Sequence, residues 1–318
     1  MRKLISLALI LLAIFFLVKI WWSSQLSGVS TDKSTKVFVI SKGAGVSDVA
    51  KKLKEENLIK SELAFKIFVQ QNNLASKLQA GSYKLSPSMS AQEILTILRF
   101  GSEDIRVTLI EGWRIEEMAQ KLNTELKIDN KEFLKYAKEG FMFPDTYLFP
   151  KDYSAQQIVK RLKDTFDAKF SDNLKSKIKS LGLSENQGVI LASIVEREAR
   201  SGEVRTMVAS ILLKRFKIGM ALNADATVQY ALGYQQEEKS WWKRHLSKED
   251  LKIDSLYNTY IHAGLPPASI SNPGLASLKA VADADPSTQY LYYYHDSKGV
   301  SHYAKTLEEH NQNVANFP

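Results

Sequence analysis

The residues best suited to chemistry are two glutamates near the end of one predicted helix, Gln187–Arg200. With Ile190 as the origin of a helical wheel, Glu198 falls at about 80°, inside an apolar arc, and Glu196 at about 240°, on the polar side. Burial without a partner raises the pKa of a carboxyl group, and the negative end of the helix dipole acts in the same direction. Glu198 is therefore a candidate general acid that works near neutral pH.

The wheel leaves a structural explanation open for each glutamate. A carboxylate at a frayed helix end can reach solvent, and Glu198 could pair there with Arg205. Glu196 is predicted to be a surface or cleft-edge carboxylate that pairs with Arg200, one turn further along the helix. In that position Glu196 is also a candidate for contact with a substrate.

A second group of candidates lies in the loop-rich region beyond residue 222. Proteins hold sugars with aromatic faces and with hydrogen bonds from amide, hydroxyl and carboxylate groups, and this region contains all of these groups. Loop packing and turn formation explain any one of them equally well. The candidates are Asn223, Asp225 and Thr227, which alternate along a stretch predicted to be extended, and Tyr257, Asn258, Thr259, Tyr260, Gly264 and Pro266.

Other kinds of site are excluded by residue type and spacing. The sequence contains no cysteine, which excludes disulfides, thiol catalysis and cysteine-rich zinc sites. Its five histidines lack the spacing of zinc ligands, and the sequence has neither a nucleophile elbow nor a phosphate-binding loop. We therefore expect no metal and no cofactor.

Short strands and helices are predicted to position the candidate residues. Strands are predicted at Val37–Ile40, Ala80–Leu85 and Val107–Ile110, with helices capped by Ser47 and Ser90. Helices dominate between residues 154 and 216, one of them beginning near Ser184. A helix near Leu275–Ala284, a β-type run at Gln289–His295 and a last helix from Thr306 follow. This alternation predicts an α+β fold.

The N-terminus predicts a membrane anchor. Leu4–Val18 carries no charge, and Leu4–Trp22 as a helix would span about 28 Å, close to one hydrocarbon core. Arg2 and Lys3 precede this run, and Trp21 and Trp22 follow it, as expected of a helix whose N-terminus stays in the cytoplasm. A cleaved signal peptide is the alternative, although no small-residue cleavage site follows the run.

This topology also limits the partners of the chain. Residues 1–22 are predicted to form the anchor and residues 23–35 a linker, with the rest of the chain outside the cytoplasm. Intracellular nucleic acid is therefore not an expected partner. The net charge of +8 suits anionic lipid headgroups and wall polymers.

Five motifs follow one another along the chain: EGFMFPDTY from Glu139, LASIVERE from Leu191, LNADATVQY from Leu222, YNTYIHAGLPP from Tyr257 and TLEEHN from Thr306. In this order they resemble the endolytic murein transglycosylase (YceG-like) family. The resemblance spans nearly the whole chain, and it implies a LysM-type module at residues 36–101 and a catalytic domain at residues 102–318. The second glutamate of the family's E-x-E pair is identified with Glu198. Two family prolines are replaced here by Ala226 and Leu256, which puts loop rigidity in question.

The resemblance implies cleavage of the β-1,4 bond between N-acetylmuramic acid and N-acetylglucosamine. The C6 hydroxyl of the muramic unit would act as the nucleophile, so one tuned carboxyl could suffice where ordinary glycosidases use two. The expected partners are peptidoglycan glycan strands, membrane lipid around the anchor and peptidoglycan synthases. A non-catalytic wall-binding scaffold and a muramidase-type hydrolase of the same bond remain as alternatives.

Overall fold

In the computed structural model the chain divides into two compact units, Met1–Arg106 with Leu148–Asp152, and Val107–Tyr147 with Tyr153–Pro318. The structure describes residues 2–41, 43–100, 104–150, 153–199 and 202–317, and the side chains of residues 2–11, 13 and 100 are not described. Helices and three two-stranded sheets make up the described chain, which confirms the predicted α+β class.

The first unit has a core of its own, built on an antiparallel strand pair and helices. Phe38 on β1 lies opposite Tyr83 on β2, and both are buried. Helix α4 is capped by Ser90, as predicted, since Ser90 Oγ accepts a hydrogen bond from Glu93 N–H. The elements of this unit are α1 (Arg2–Leu26), β1 (Lys36–Ile40), α2 (Val46–Glu55), α3 (Glu62–Gln71), β2 (Gly81–Leu85) and α4 (Ala91–Phe100).

One capping prediction in this unit is wrong. Helix α2 begins at Val46 with Gly45 as its N-cap, so Ser47 lies inside the first turn. The reason is local, because Asp48 accepts a hydrogen bond from Gly45 N–H at 3.0 Å and fixes the helix start two residues earlier.

Two further strands form another two-stranded sheet. They are β3 (Ile105–Thr108) and β4 (Thr146–Phe149). The second unit otherwise consists of helices and one hairpin. Its elements are α5 (Ile115–Leu126), α6 (Asn130–Tyr136), α7 (Ala155–Lys169), α8 (Asp172–Ser180), α9 (Glu185–Glu198), α10 (Gly202–Lys217), α11 (Asp225–Leu232), α12 (Leu275–Ala282), β5 (Tyr292–His295), β6 (Ser301–Ala304) and α13 (Leu307–Asn316).

Helix α9 is the centre of the second unit. Ser184 and Gln187 form a capping box at its start, which confirms the predicted N-terminus. Every residue from Gly188 to Val195 is buried, including Ser193. A Cβ at Gly188 would lie 2.7 Å from a methyl carbon of Ile178, so glycine is needed for the close approach of α8. The buried middle of α9 therefore fixes where its C-terminal residues emerge.

The N-terminal prediction is only partly covered by the structure. Residues 2–26 form helix α1, but most side chains of the predicted anchor at residues 1–22 fall outside those described. Within the part of the chain that the structure does describe, no helix is both long and apolar enough to cross a membrane. A membrane span is thus not shown. The functional division at residue 101 and the LysM-type nature of residues 36–101 also stay predictions.

Candidate active site

Glu198 is the last residue of α9, and the chain turns to an extended conformation at Ala199. The residue is half-buried. Its Oε2 accepts a hydrogen bond from the Tyr293 hydroxyl at 3.0 Å, and its Oε1 lies 3.4 Å from Ala226 N–H, a long contact. Helix α9, helix α11 and strand β5 therefore meet at one carboxyl group.

The surroundings of this carboxyl group favour its protonated form. Burial, followed by the nearby charge of Asp225, raises the pKa of Glu198 to about 7. The hydrogen bonds from Tyr293 and Ala226 and the charge of Arg197 act in the opposite direction. The predicted rise in pKa is confirmed, and a group that titrates near neutral pH can both give and take a proton.

Asp225 is a second carboxylate in the same cleft. It is the first residue of α11, it is exposed, and it accepts a hydrogen bond from the Tyr260 hydroxyl at 2.5 Å. The extended stretch predicted around it is wrong. The chain takes a left-handed turn at Asn223, where φ is +49°, and becomes helical at Asp225.

Two cavities meet at Glu198, and Asp225 and His295 also line both. The first has a volume of about 640 Å³ and is polar, bounded by Arg197, Gln229 and the turn of the β5–β6 hairpin. The second has a volume of about 470 Å³. Together they form a cleft, and Glu198 lies where the two cavities share their lining.

The second cavity has aromatic walls. Tyr260, Tyr292, Tyr294 and His310 line it, and the ring of His310 stacks on Tyr292 with a centroid distance of 5.5 Å. Burial lowers the pKa of His310, which keeps this ring uncharged at neutral pH. Flat, neutral ring surfaces of this kind suit the apolar faces of sugars.

Arg215 supports this aromatic wall from inside the protein. It is buried, and it donates hydrogen bonds to the carbonyl groups of Leu291 at 2.6 Å and Leu222 at 2.7 Å. Its guanidinium lies 4.9 Å from the centre of the Tyr292 ring. The start of β5 and the turn before α11 are thereby tied to α10.

Glu196 does not lie on a polar edge, contrary to the prediction. Its side chain is 4% exposed, and it pairs with Arg205 of α10 at 3.1 Å while accepting a hydrogen bond from Gly274 N–H at 2.8 Å. The wheel misplaced it because other elements surround α9 on all sides. The predicted partner, Arg200, lies outside the described residues. Glu196 joins α9 to α10 and to the loop before α12.

Several of the residues predicted to contact substrate form hydrogen bonds within the protein instead. Thr227 and Thr259 are buried and hydrogen-bond to each other at 2.9 Å. Asn258 is buried, and its amide donates to the carbonyl groups of Leu251 and Ile253. These three residues position the loop that presents Tyr260.

The remaining loop candidates also lie away from Glu198. Tyr257 packs on the ring of Tyr230 at 4.8 Å, and neither Gly264 nor Pro266 lines the two cavities. Of the predicted set, the structure brings together Glu198, Asn223, Asp225 and Tyr260.

Sequence reasoning missed the residues that β5 and α13 contribute, above all Tyr293 and His310. The available signal was the run Tyr292-Tyr-Tyr-His, which predicted a strand and nothing more. Gln229, Arg197 and Arg215 gave no comparable signal. Among the residues described, no group of three or more acidic or histidine side chains is arranged to hold a metal ion.

A buried polar centre holds further loops of the second unit. Asn272 Oδ1 accepts hydrogen bonds from the N–H groups of Gly140 and Met142, and its amide donates to Glu139 at 2.7 Å. Burial, as the main cause, raises the pKa of Glu139 to about 8. Glu139 also accepts a hydrogen bond from Ile115 N–H at the start of α5. This centre supports the fold and lines neither cavity at Glu198.

Comparison with known proteins shows which family this chain resembles in sequence and structure. The sequence profile of the YceG-like family matches residues 38–316. An endolytic murein transglycosylase of Bacillus subtilis is 31% identical over 92% of this chain and 88% of its own length. An endolytic murein transglycosylase of Streptococcus pneumoniae is 26% identical over 89% of this chain, which spans 59% of that relative. A crystal structure of a YceG-like protein from Listeria monocytogenes superposes with a TM-score of 0.59 at 28% identity, covering 88% of this chain and 99% of that one.

Proposed function

Because the chain belongs to the YceG-like family, we propose that it is a lytic transglycosylase that cuts peptidoglycan glycan strands. Two relatives that align with most of this chain carry the name endolytic murein transglycosylase. The observation that carries the proposal is the position of Glu198, whose pKa is about 7, where two cavities meet. A glycan that occupies both cavities would place one glycosidic bond beside this carboxyl group.

The proposed reaction breaks the β-1,4 bond between N-acetylmuramic acid and N-acetylglucosamine without water. Glu198 gives its proton to the bridging oxygen as the bond from that oxygen to the muramic C1 breaks. The C6 oxygen of the same muramic unit then bonds to C1, and its proton returns to Glu198. The products are an N-acetylglucosamine end and a 1,6-anhydromuramic end, and the carboxyl group is regenerated.

The position of Asp225 supports one alternative reaction, hydrolysis of the same bond, which should be tested beside the proposed reaction. Ordinary glycosidases use two carboxyl groups, and Asp225 is an exposed carboxylate that lines the same two cavities as Glu198. A muramidase-type hydrolase would add water and leave reducing muramic ends. Mass spectrometry of the products from purified wall separates the two reactions, because the anhydro product lacks one water.

The deciding variant is Glu198→Gln, which keeps the shape of the side chain and cannot transfer a proton. General acid–base catalysis is worth roughly 10²–10⁴-fold, so we expect release of anhydro ends to fall by at least that factor. Wild-type protein that binds wall and releases neither anhydro nor reducing ends would instead indicate a wall-binding scaffold.

The localisation is a separate proposal that rests on the sequence. Residues 1–22 would anchor the chain in the cytoplasmic membrane, with Arg2 and Lys3 inside and the rest of the chain on the extracytoplasmic side. There it would cut nascent strands close to peptidoglycan synthases and so end their polymerisation. Protease added to intact spheroplasts should digest the chain beyond residue 36. Full protection would contradict this topology.

A further inference from the structure

Glu198 is held by a residue that the proposed reaction does not yet use. Tyr293 lies on β5, directly opposite Tyr303 on β6, and its ring packs against the main core of the second unit. Its hydroxyl donates to Glu198 Oε2 at 3.0 Å. Within the described chain, the other hydrogen bond recorded for this carboxyl group is the long one from Ala226 N–H to Oε1.

The other charged groups around Glu198 that the structure describes have partners of their own. Arg197 of α9 stacks on the ring of Trp242 with its guanidinium 3.8 Å from the ring centre. Asp225 of α11 is held by the Tyr260 hydroxyl, and His295 of β5 hydrogen-bonds to Ser301 at 2.9 Å. Arg215 of α10 is bonded to main-chain carbonyl groups.

The phenol of Tyr293 is a permanent donor. Burial, together with the neighbouring charge of Glu198, raises the pKa of Tyr293 well above the ordinary value for tyrosine. The hydroxyl therefore keeps its proton across the pH range in which Glu198 titrates. Oε2 already accepts the hydrogen bond from Tyr293, whereas Oε1 has the longer contact with Ala226 N–H, so Oε1 is the oxygen better placed to carry the acidic proton of neutral Glu198.

We propose that Tyr293 is a positioning residue for Glu198. Its hydroxyl group holds Oε2 in place and leaves Oε1 to exchange the proton with the sugar. The inference rests on the proposed function, because it assigns a role within the same reaction. Without the Tyr293 hydroxyl, the carboxyl group of Glu198 can rotate. The carboxylate that forms when Glu198 gives up its proton also lacks one hydrogen bond. In this role Tyr293 acts through the acid, so its effect belongs in the rate of the bound complex.

The test compares Tyr293→Phe with Tyr303→Phe in the full chain. Both variants remove one hydroxyl group from the same hairpin at paired positions, but the tyrosine hydroxyl that donates to Glu198 is that of Tyr293. Hydrogen bonds to charged groups are worth enough to change a rate by roughly 10–100-fold, so we expect a fall of that size in kcat for Tyr293→Phe with little change in KM. Tyr303→Phe should retain the wild-type kcat.

The pH profile separates positioning from simple loosening of the hairpin. The hydrogen bond from Tyr293 lowers the pKa of Glu198, so its loss should raise that pKa. Activity that requires protonated Glu198 falls as pH rises through its pKa, and this alkaline limb should move to higher pH in Tyr293→Phe. Equal losses at every pH, shared with Tyr303→Phe, would overturn the inference.

A direct titration keeps this test independent of the reaction. The ¹³C signal of the Glu198 carboxyl group, assigned by its loss in Glu198→Gln, should titrate at higher pH in Tyr293→Phe than in wild type. Identical titrations would overturn the role of Tyr293 even in an active enzyme. Wild-type protein that releases no anhydro ends would overturn the proposed function, while the titration would still report on the contact.

Discussion

Glu196 and Glu198 are two residues apart on one helix, yet their carboxyl groups meet opposite electrostatic surroundings. Glu196 has a cation, Arg205, at 3.1 Å, whereas Glu198 has a phenol and faces another carboxylate, Asp225. Ion pairing stabilises a charged carboxylate, and burial near a like charge stabilises a neutral one. The first arrangement supports the fold, and the second prepares a proton donor.

Replacing each glutamate by glutamine should therefore affect different properties. Glu196→Gln leaves the side chain of Arg205, which is 14% exposed, without its anion, so we expect the free energy of unfolding to fall by about 1–3 kcal/mol. Activity per folded molecule should be largely retained. Glu198→Gln should instead keep the free energy of unfolding and lose activity. Denaturant titration measures the stability of each variant, and release of anhydro ends measures its activity. Loss of catalysis in Glu196→Gln with full activity in Glu198→Gln would reverse our assignment.

Asp225 should act on the reaction through the pKa of Glu198. Its negative charge raises that pKa, so Asp225→Asn should lower it and move the alkaline limb of the pH profile to lower pH. The asparagine oxygen can still accept the hydrogen bond from Tyr260, which should preserve the loop. The pH dependence of kcat/KM measures the effect, with Asp254→Asn as a control, since Asp254 lines neither cavity. An unchanged limb would show that Asp225 does not tune the acid.

At this scale the sequence pointed to Glu198 as the proposed acid and missed its partner, Tyr293. The apolar spacing along α9 carries local information, and it placed Glu198 on the apolar side of the helix, where the structure finds the residue half-buried. Tyr293 follows 95 residues later, and no local pattern tells which residue of a tyrosine run will reach a distant helix end. Glu196 was misplaced for a related reason, because a wheel shows where apolar residues lie and not whether a polar side is covered by other elements.

At the scale of elements, the boundaries set by local hydrogen bonds were predictable. Ser90, Ser184 and Thr306 cap helices as their sequence contexts indicate. The predicted boundaries are wrong where tertiary contacts determine the local structure. Asp225 begins a helix because the loop before it is fixed by hydrogen bonds from Asn223 N–H and Ala224 N–H to Thr259, which lies more than thirty residues away in the chain.

The buried Glu139, which accepts a hydrogen bond from Ile115 N–H at the start of α5, makes the stability of this region depend on pH. Its pKa is raised from an ordinary 4.5 to about 8, so the folded state binds a proton that the unfolded chain has already lost. This contribution to stability is present below pH 4.5 and is lost as pH rises through about 8.

We therefore expect Glu139→Gln to gain stability relative to wild type as pH rises. A neutral amide avoids the cost of burying a charge, and its oxygen can still accept from Asn272 and Ile115. The advantage should grow between pH 4.5 and about 8, by at most about 1.4 kcal/mol per pH unit. Denaturant titrations at several pH values, followed by tryptophan fluorescence, measure the difference. A constant difference between the two proteins would show that Glu139 keeps its proton state on unfolding.

At the scale of the whole molecule, the two units have separate hydrophobic cores. One core is built from residues 38–98 and contains Phe38, Phe65 and Leu98. The other surrounds α9 and contains Leu191 and Val195. The residues that line the cleft at Glu198 all belong to the second unit. Burial within each core supplies the main driving force for folding, so removal of one core need not unfold the other.

This separation allows wall binding and cleavage to be measured apart. Removal of residues 36–101, the predicted LysM-type module, should weaken sedimentation with insoluble wall. It should leave cleavage of short soluble glycans, because Glu198, Asp225 and the aromatic wall remain. Full-length Glu198→Gln is the reciprocal control, since it should bind wall as wild type does and release no anhydro ends. Unchanged wall binding after the deletion would show that residues 36–101 act as a spacer, and that glycan affinity resides in the cleft of the second unit.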